Sequence, residues 1–180
     1  MYGSEAPSPW VQKWSHLAKP QSQVLDLACG AGRHMQYFKA QGHQCTGVDR
    51  SAEALAEAAV FGQVVQADIE SGPWPLMDQT FDVVVVTNYL WRPLMSQILA
   101  SLAPDGVLLY ETFALGHEKI GKPSRPDFLL QPGELLRTFA SLRVISYEDG
   151  YSVQPAKYVQ RIVAVHQVDP QAGQFCLSSR

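Results

Sequence analysis

The chain has 180 residues, of which 46% are hydrophobic and 17% are charged, and its formal net charge at pH 7 is −3. This length and composition are typical of one globular domain and exclude a disordered or highly solvated protein. Because non-specific nucleic-acid binding depends on neutralising phosphates, the negative charge disfavours a DNA or RNA partner. No apolar run approaches the ~20 residues of a membrane helix, which predicts no membrane partner.

The start of the chain carries a helix signal but no export signal. Residues 1–5 have neither a basic start nor an apolar core, so we expect a cytoplasmic protein. Residues 1–20 are predicted as a lead-in with a short amphipathic helix, in which Ser8 is the N-cap and Pro9 the first helical residue. The three cysteines lack a paired spacing and the five histidines are dispersed, so neither a disulfide framework nor a metal site is predicted.

The stretch from Val24 to His34 predicts a buried strand, a tight turn and a helix. Val24, Leu25 and Leu27 form a short apolar run of the length of a parallel strand. Glycines at positions 30 and 32 then predict a turn that a ligand can approach closely, because glycine has no Cβ. The helical pattern that follows reaches about Gln41.

Asp26 discriminates among the ligands that such a turn binds. A dinucleotide loop would need a third glycine where Met35 stands, and a phosphate loop would need Lys and a hydroxyl after Gly32. A carboxylate beside the turn repels a pyrophosphate, but it suits a ligand with an ammonium or sulfonium group.

The run from Asp26 to Gly32, Asp-Leu-Ala-Cys-Gly-Ala-Gly, is similar to the first motif of the class I S-adenosylmethionine-dependent methyltransferases. Ala28 stands where that family often has its first glycine. The narrower resemblance is to small bacterial enzymes of the tellurite-resistance and thiol methyltransferase type. The alternative is a structural glycine turn in another α/β protein. The resemblance implies that S-adenosylmethionine is the cofactor and that the turn binds it through Asp26, Ala28, Cys29, Gly30 and Gly32.

The second and third predicted strands each end in an acid. Asp49 lies 17 residues after Gly32, close to where nucleoside-binding folds place the carboxylate that binds the ribose. Its alternative is a surface acid or a cap for the helix that Ser51 opens; the neighbouring Arg50 is also predicted to bind the cofactor. Residues 61–68 predict the third strand. The resemblance implies that Asp68 binds the adenine amino group and that Ile69 brackets the ring.

Residues 81–86 are apolar on both faces, which predicts a central parallel strand. The resemblance implies that the end of this strand faces the transferred methyl group, so Asn88 is predicted to contact both cofactor and substrate. Tyr89 is predicted beside it, with Arg92 orienting the substrate. The run after Asn88 lacks the prolines of methyltransferases that act on exocyclic base amines, which disfavours that substrate class.

Residues 94–102 predict a helix, and a turn at 104–106 leads to a fifth strand at 107–111. An oxygen or nitrogen acceptor would benefit from a general base, for which Glu111 and His117 are the candidates. The alternative role for Glu111 is a hydrogen bond to the backbone of the segment that follows it.

Residues 112–131 predict a long irregular loop. One interpretation is a solvated loop. The other is a substrate lid, whose cations Lys119, Lys122 and Arg125 meet an anionic group on a small-molecule acceptor.

Two closing strands at 142–147 and 158–168 resemble the antiparallel end of the methyltransferase sheet. We therefore expect an α/β protein with a Rossmann-like, doubly wound, seven-stranded and mostly parallel sheet whose last strand is antiparallel. Residues 1–168 are predicted as one methyltransferase domain and residues 169–180 as a flexible tail.

The predicted activity is methyl transfer from S-adenosylmethionine to a small molecule. The alternatives are a non-catalytic cofactor-binding or regulatory protein, another transfer from the same cofactor, or a methyltransferase that acts on a nucleic acid or a protein. The sequence identifies neither the acceptor nor the oligomeric state.

Overall fold

The computed structural model describes residues 6–169 and 175–177. Its seven strands are β1 (Gln23–Leu27), β2 (Gln44–Asp49), β3 (Gln63–Gln66), β4 (Phe81–Thr87), β5 (Leu102–Phe113), β6 (Arg143–Val153) and β7 (Ala156–Val165). The helices are α1 (Pro9–Trp14), α2 (Arg33–Ala40), α3 (Ala52–Ala58), α4 (Met95–Ala100) and α5 (Glu134–Thr138).

One sheet contains all seven strands in the order β3-β2-β1-β4-β5-β7-β6. The strands β3, β2, β1, β4 and β5 pair in parallel, whereas β7 pairs antiparallel with both β5 and β6. The prediction of a doubly wound, mostly parallel sheet with an antiparallel last strand is confirmed. Because β1 and β4 lie at the centre, their carboxyl ends form the place where ligands bind in open α/β sheets.

The alternation of side chains along β4 divides the core into two layers. Val84 and Val86 pack with residues of α4 and α5, while Val83 and Val85 pack with residues of α1, α2 and α3. This explains why the strand is apolar at successive positions, since both of its faces are covered. The N-terminal helix begins as predicted, with the Ser8 hydroxyl accepting the N–H of Trp10 and proline at its first turn.

Three predicted boundaries are wrong. The strand β3 is shorter than the predicted 61–68. The helix predicted at 94–102 is a 3₁₀ turn, Arg92–Leu94, followed by α4, which ends at Ala100. The predicted turn at 104–106 lies within β5, because Leu102 already pairs with Phe81 before the register shifts and resumes at Val107 opposite Val83.

The closing hairpin is longer than predicted. Residues 148–151 continue β6 instead of forming the connection, and the ladder extends through Tyr151 opposite Tyr158 to Val153 opposite Ala156. The two tyrosine rings lie 5.0 Å apart between centroids, which stabilises this extension. Of the predicted tail, Phe175 packs on the layer formed with α1, and the guanidinium of Arg143 lies over its ring. The tail residues 170–174 and 178–180 lie outside the described residues, as do residues 1–5.

Candidate functional site

The turn between β1 and α2 has a backbone that favours glycine. Ala28, Gly30 and Gly32 have φ values of 52°, 55° and 80°, all in the left-handed region. A Cβ on Gly32 would lie 2.9 Å from the Cβ of Ala58, whereas a Cβ on Gly30 would meet nothing within 4 Å. Gly32 is therefore needed for packing against α3, and Gly30 leaves open space beside the turn.

Asp49 connects this turn to the end of β2. Its Oδ2 accepts the N–H of Gly30 at 2.8 Å, and its Oδ1 accepts the N–H of Ser51 at 2.9 Å, at the start of α3. The carboxylate is half-buried, and each of its oxygens retains a lone pair for a further donor. The structure thus shows the acid at the start of the helix that Ser51 opens, and it also lines the cavity described next, while its role in ribose binding stays a prediction.

A first cavity of about 170 Å³ lies across the ends of β1, β2 and β3. It brings together five of the ten predicted cofactor residues, whereas Asp26, Cys29, Gly30, Gly32 and Asn88 do not line it. Its lining consists of Ala28, Asp49, Arg50, Ala67, Asp68, Ile69, Glu70 and Tyr89.

Asp68 caps its own loop at the rim of this cavity. Its oxygens accept the hydroxyl of Ser71 at 2.6 Å and the N–H of Glu70 at 3.0 Å. These hydrogen bonds to the charged form hold the pKa of Asp68 below its ordinary value.

A second cavity of about 310 Å³ adjoins the first at the carboxyl ends of β4 and β5. Arg50, Glu70 and Tyr89 line both cavities, so the two spaces share a wall. The remaining lining residues are Asn88, Leu90, Thr112, Phe113, Pro123 and Phe128.

Tyr89 has a buried hydroxyl at this shared wall, and that hydroxyl has no hydrogen-bond partner among residues 6–169 and 175–177. Burial raises the pKa of Tyr89 well above its ordinary value, and the nearby charge of Glu70 adds to the shift. The phenol therefore keeps its proton at neutral pH. The carboxylate of Glu70, on the same wall, also interacts with this hydroxyl, so the phenol lies beside an acceptor at the junction of the two cavities.

Asp26 is buried in the layer that contains α1 and α2. It is 1% exposed, and its Oδ2 lacks a hydrogen-bond partner in the described part of the chain. The Nδ1 of His34 lies 3.8 Å from this oxygen. The Nε2 of His34 accepts the backbone N–H of Ser8 at 3.1 Å, so the start of α1 closes over this carboxylate. A buried carboxylate oxygen without a hydrogen-bond partner, close to the glycine turn, fits a ligand that carries an ammonium group.

Cys29 packs within the turn instead of serving as a nucleophile. Its side chain is buried, and its sulfur lies 3.5 Å from the carbonyl oxygen of Gly30. Burial raises the pKa of this thiol well above its ordinary value, and the charges of Asp26 and Asp49 raise it further. A thiol in this environment is not ionised at neutral pH.

Glu111 does not lie in the position of a free general base. Its carboxylate is 2% exposed and accepts hydrogen bonds from the Ser8 hydroxyl at 3.1 Å, the Lys157 ammonium at 3.0 Å and the Arg161 guanidinium. Burial alone would raise the pKa of Glu111, but the two cations outweigh it and hold that pKa below the ordinary value. The carboxylate therefore stays charged and paired, and it connects α1 to the closing hairpin.

Both ring nitrogens of His117 are also hydrogen-bonded. Its buried ring bonds through Nε2 to the carbonyl of Lys122 at 3.1 Å, and its Nδ1 accepts the N–H of Tyr158 at 3.4 Å. It lines neither of the two adjoining cavities. The structure thus does not place His117 as a base at the substrate, because one ring nitrogen bonds the backbone of the 112–131 segment and the other bonds the backbone of β7.

The segment 112–131 is more ordered than predicted. Ala114 forms a bridge with Leu130, and two 3₁₀ turns, His117–Lys119 and Pro126–Phe128, lie between these residues. Arg92, predicted to orient the substrate, instead donates to Glu134 at 2.7 and 3.0 Å and to the carbonyls of Asp127 and Leu129. It anchors one wall of the second cavity.

The predicted cations of this segment lie outside the cavity wall. Lys119, Lys122 and Arg125 are exposed, while Pro123 and Phe128 line the second cavity. Sequence reasoning missed these two residues, along with Glu70, Thr112 and Phe113. The position of Glu70, two residues after Asp68, is the one local signal that could have identified it.

The comparisons with known proteins agree with this geometry. Residues 24–106 match the model of the methyltransferase domain family. A malonyl-[acyl-carrier protein] O-methyltransferase of Enterobacter lignolyticus (strain SCF1) is 34% identical over 105 residues, which cover 54% of this chain and 41% of that enzyme. The matches span less than half the length of the curated relatives.

Two solved structures illustrate the shared fold. TehB from Haemophilus influenzae has a TM-score of 0.70 at 18% identity, over 85% of this chain and 60% of that one. The glycopeptide N-methyltransferase MtfA complexed with S-adenosyl-L-homocysteine has a TM-score of 0.59 at 18% identity, over 84% and 85% of the two chains.

These comparisons confirm the family predicted from the Asp26–Gly32 motif, the class I S-adenosylmethionine-dependent methyltransferases, and with it the cofactor. Within residues 6–169 and 175–177, no helix is long and apolar enough to cross a membrane. The same residues contain no cluster of three or more His, Cys, Asp or Glu side chains that would hold a metal ion.

Proposed function

We propose that this class I methyltransferase binds S-adenosylmethionine across the glycine turn and the first cavity, and transfers its methyl group to a small molecule in the second cavity. One observation carries the proposal. The two cavities share Arg50, Glu70 and Tyr89 beside the carboxyl end of the central strand β4. Because the two spaces adjoin, a cofactor in one and an acceptor in the other would occupy neighbouring positions, and positioning is a large part of this catalysis.

The cofactor residues divide by the part of the ligand that they would hold. Asp49 would accept the ribose hydroxyls, Asp68 and Ile69 would contact the adenine, and the free oxygen of Asp26 would accept the ammonium group. The remaining residues proposed to contact the cofactor lie along the turn and the strand ends, namely Ala28, Cys29, Gly30, Gly32, Arg50 and Asn88.

When bound, the cofactor supplies a methyl group attached to a sulfonium sulfur, and this sulfur is a good leaving group because it departs as a neutral thioether. The chain orients the acceptor, through the amide of Asn88 and the phenol of Tyr89, and excludes water from the shared wall. The carboxylate of Glu70 lines both cavities and is the group we propose to take a proton from an oxygen or nitrogen acceptor. Glu111 and His117 are not assigned this role, since their polar atoms are paired elsewhere.

The proposal is tested in two steps. Calorimetric titration with S-adenosylmethionine and S-adenosylhomocysteine should give dissociation constants in the micromolar range. Release of S-adenosylhomocysteine should then depend on an added small-molecule acceptor from a metabolite panel. Cofactor binding without turnover of any acceptor class would favour the non-catalytic alternative instead.

The curated relatives favour a second candidate, transfer to a group carried on a protein. Three of them are named malonyl-[acyl-carrier protein] O-methyltransferases. Malonyl-[acyl-carrier protein] should therefore be included in the assay as an acceptor. A turnover number higher than that of every free metabolite would establish this candidate and contradict the small-molecule proposal.

A further inference from the structure

The wall of the second cavity is predominantly apolar and carries no net charge. Its apolar surface comes from five side chains, Tyr89, Leu90, Phe113, Pro123 and Phe128. Asn88 and Thr112 add neutral polar groups, while the single cation, Arg50, is matched by the single anion, Glu70.

The cations that the sequence assigned to an anionic acceptor are directed elsewhere. Arg125 donates to the carboxylate of Asp127 at 2.9 Å, and its guanidinium lies 5.3 Å from the centroid of the Phe128 ring. Lys119 and Lys122 are exposed and do not line the cavity. A carboxylate or phosphate that entered this space would lose part of its hydration, and its attraction to Arg50 would be offset by repulsion from Glu70 on the same wall, which is costly.

The dimensions of the cavity indicate the shape of its ligand. A volume of about 310 Å³ lies at the small end of the range of roughly 300–1,000 Å³ for ligand pockets. Phe113, which follows Thr112 near the end of β5, and Phe128, from the second 3₁₀ turn, supply two partly buried aromatic rings to this wall. Aromatic side chains pack best against flat apolar surfaces.

Building on the proposed function, we propose that the methyl acceptor is a compact, uncharged molecule with a flat, largely apolar body. Pro123 and the rings of Phe113 and Phe128 hold this body. The acceptor heteroatom lies toward Asn88 and Tyr89, next to the first cavity. The methyl carbon leaves its sulfur, which keeps the electron pair, and bonds to this heteroatom, whose proton passes to Glu70. The acceptor therefore differs from the anionic molecule that the lysines and arginine of the 112–131 segment indicate in the sequence.

Benzamide and benzoate form a matched probe pair, because they share size and planarity and differ in charge. Each is titrated by ligand-observed NMR into protein saturated with S-adenosylhomocysteine. We expect benzamide to bind at least about ten-fold more tightly than benzoate. Tighter binding of benzoate, or no binding of either probe, would overturn the inference.

Two variants locate the binding. Phe128→Ala should weaken benzamide about five- to ten-fold, because it removes one wall of the cavity. The control variant Lys119→Gln/Lys122→Gln should leave both probes unchanged within two-fold. If Phe128→Ala does not fold, as judged by thermal unfolding, Phe113→Leu tests the other ring. An effect of the lysine variant on benzoate that exceeds the effect of the aromatic variant on benzamide would contradict the inference.

The titration with S-adenosylhomocysteine is performed first and separates the two proposals. If S-adenosylhomocysteine does not bind, the proposed function fails and the inference fails with it. If S-adenosylhomocysteine binds but the neutral probe does not, the inference alone is wrong.

Discussion

The two halves of the candidate site are built in different ways. On the cofactor side, the backbone defines the site. The left-handed residues Gly30 and Gly32 shape the turn, and backbone N–H groups fix the carboxylates of Asp49 and Asp68. On the acceptor side, side chains from distant segments form a largely apolar wall that also carries Arg50 and Glu70, while the ion pairs of Arg92 and Glu111 do not line it.

This difference shows which half is constrained and which is free to change. A turn made from backbone geometry tolerates few substitutions, because left-handed φ values and close packing penalise most side chains. A wall of Phe113, Pro123 and Phe128 can change with the substrate, since apolar exchanges in such a wall leave the sheet intact. We therefore expect substitutions on one side of the site to leave ligand binding on the other side unchanged.

The largest effects are expected from two glycine variants of the turn. Gly32→Ala should lower the free energy of unfolding by about 2–5 kcal/mol, because left-handed strain of about 1–2 kcal/mol adds to an overlap with Ala58 that costs about 1–3. Gly30→Ala should cost only the strain, about 1–2 kcal/mol. It should nevertheless weaken S-adenosylhomocysteine binding more than about ten-fold, since its Cβ enters the open space.

Chemical denaturation and calorimetry measure these two effects separately. Equal destabilisation by both variants would contradict the packing role of Gly32. Unchanged binding of S-adenosylhomocysteine by Gly30→Ala would show that the ligand does not occupy the space beside Gly30.

Glu70→Gln tests whether the two halves of the site act separately, because Glu70 lines both cavities. With an acceptor found in the metabolite screen that reacts through oxygen or nitrogen, kcat should fall about 10²-fold or more. Binding of S-adenosylhomocysteine should remain within three-fold of the original protein. A sulfur acceptor needs little base catalysis, so the same variant should then retain most of its activity. A loss of cofactor affinity that equals the loss in kcat would show that Glu70 acts on the cofactor side only.

Glu111→Gln tests the ion pairs behind the acceptor wall. Removing the buried partner of Lys157 and Arg161 should lower the free energy of unfolding by about 2–4 kcal/mol at pH 7, less than for a fully buried pair, because both cations are partly exposed.

The pH dependence of Glu111→Gln has a defined sign. The folded pKa of Glu111 lies below its ordinary value, so the stabilisation is present above that ordinary value and is lost as the pH falls through the folded pKa. Denaturation curves of the original protein and the variant should therefore approach each other in acid. A difference in stability that grows as the pH falls would show that the carboxylate is not paired.

The smallest effect is expected from Arg92→Lys. The lysine keeps the charge but loses the two-pronged contact with Glu134. Because the Arg92 side chain is 39% exposed, solvent screens this pair and we expect a loss of only about 1 kcal/mol. Because Arg92 also binds the carbonyls of Asp127 and Leu129, KM for the acceptor should rise while cofactor binding stays unchanged. Steady-state kinetics with both substrates measure this, and a rise in the KM of the cofactor alone would contradict it.

The sequence predicts the family, its sheet and its cofactor because the features that carry them are local. The run from Asp26 to Gly32 contains the strand end and the turn that leads to α2; Asp26 and Asp49 lie in the last two residues of β1 and β2, and Asp68 lies two residues after β3. Local patterns also place the N-cap Ser8 and the apolar strand β4, whose sides are both covered.

The acceptor half escapes prediction because its contacts join residues that are far apart in the chain. Glu111 accepts hydrogen bonds from Ser8, Lys157 and Arg161, and Arg92 donates to Glu134, which is 42 residues away in the chain. A run of cations in a predicted loop says nothing of the direction in which those cations point. That direction depends on the bridge between Ala114 and Leu130, which no local pattern indicates.

In the proposed complex, S-adenosylmethionine lies across the turn, with its ammonium group at the Oδ2 of Asp26. A matched ligand pair tests it directly, since S-adenosylhomocysteine carries the amino-acid end and methylthioadenosine lacks it. In calorimetric titrations, Asp26→Asn should weaken S-adenosylhomocysteine about ten-fold or more and leave methylthioadenosine within two-fold. Equal weakening of both ligands would contradict the contact between Asp26 and the ammonium group. No heat from S-adenosylhomocysteine with the original protein would contradict cofactor binding itself.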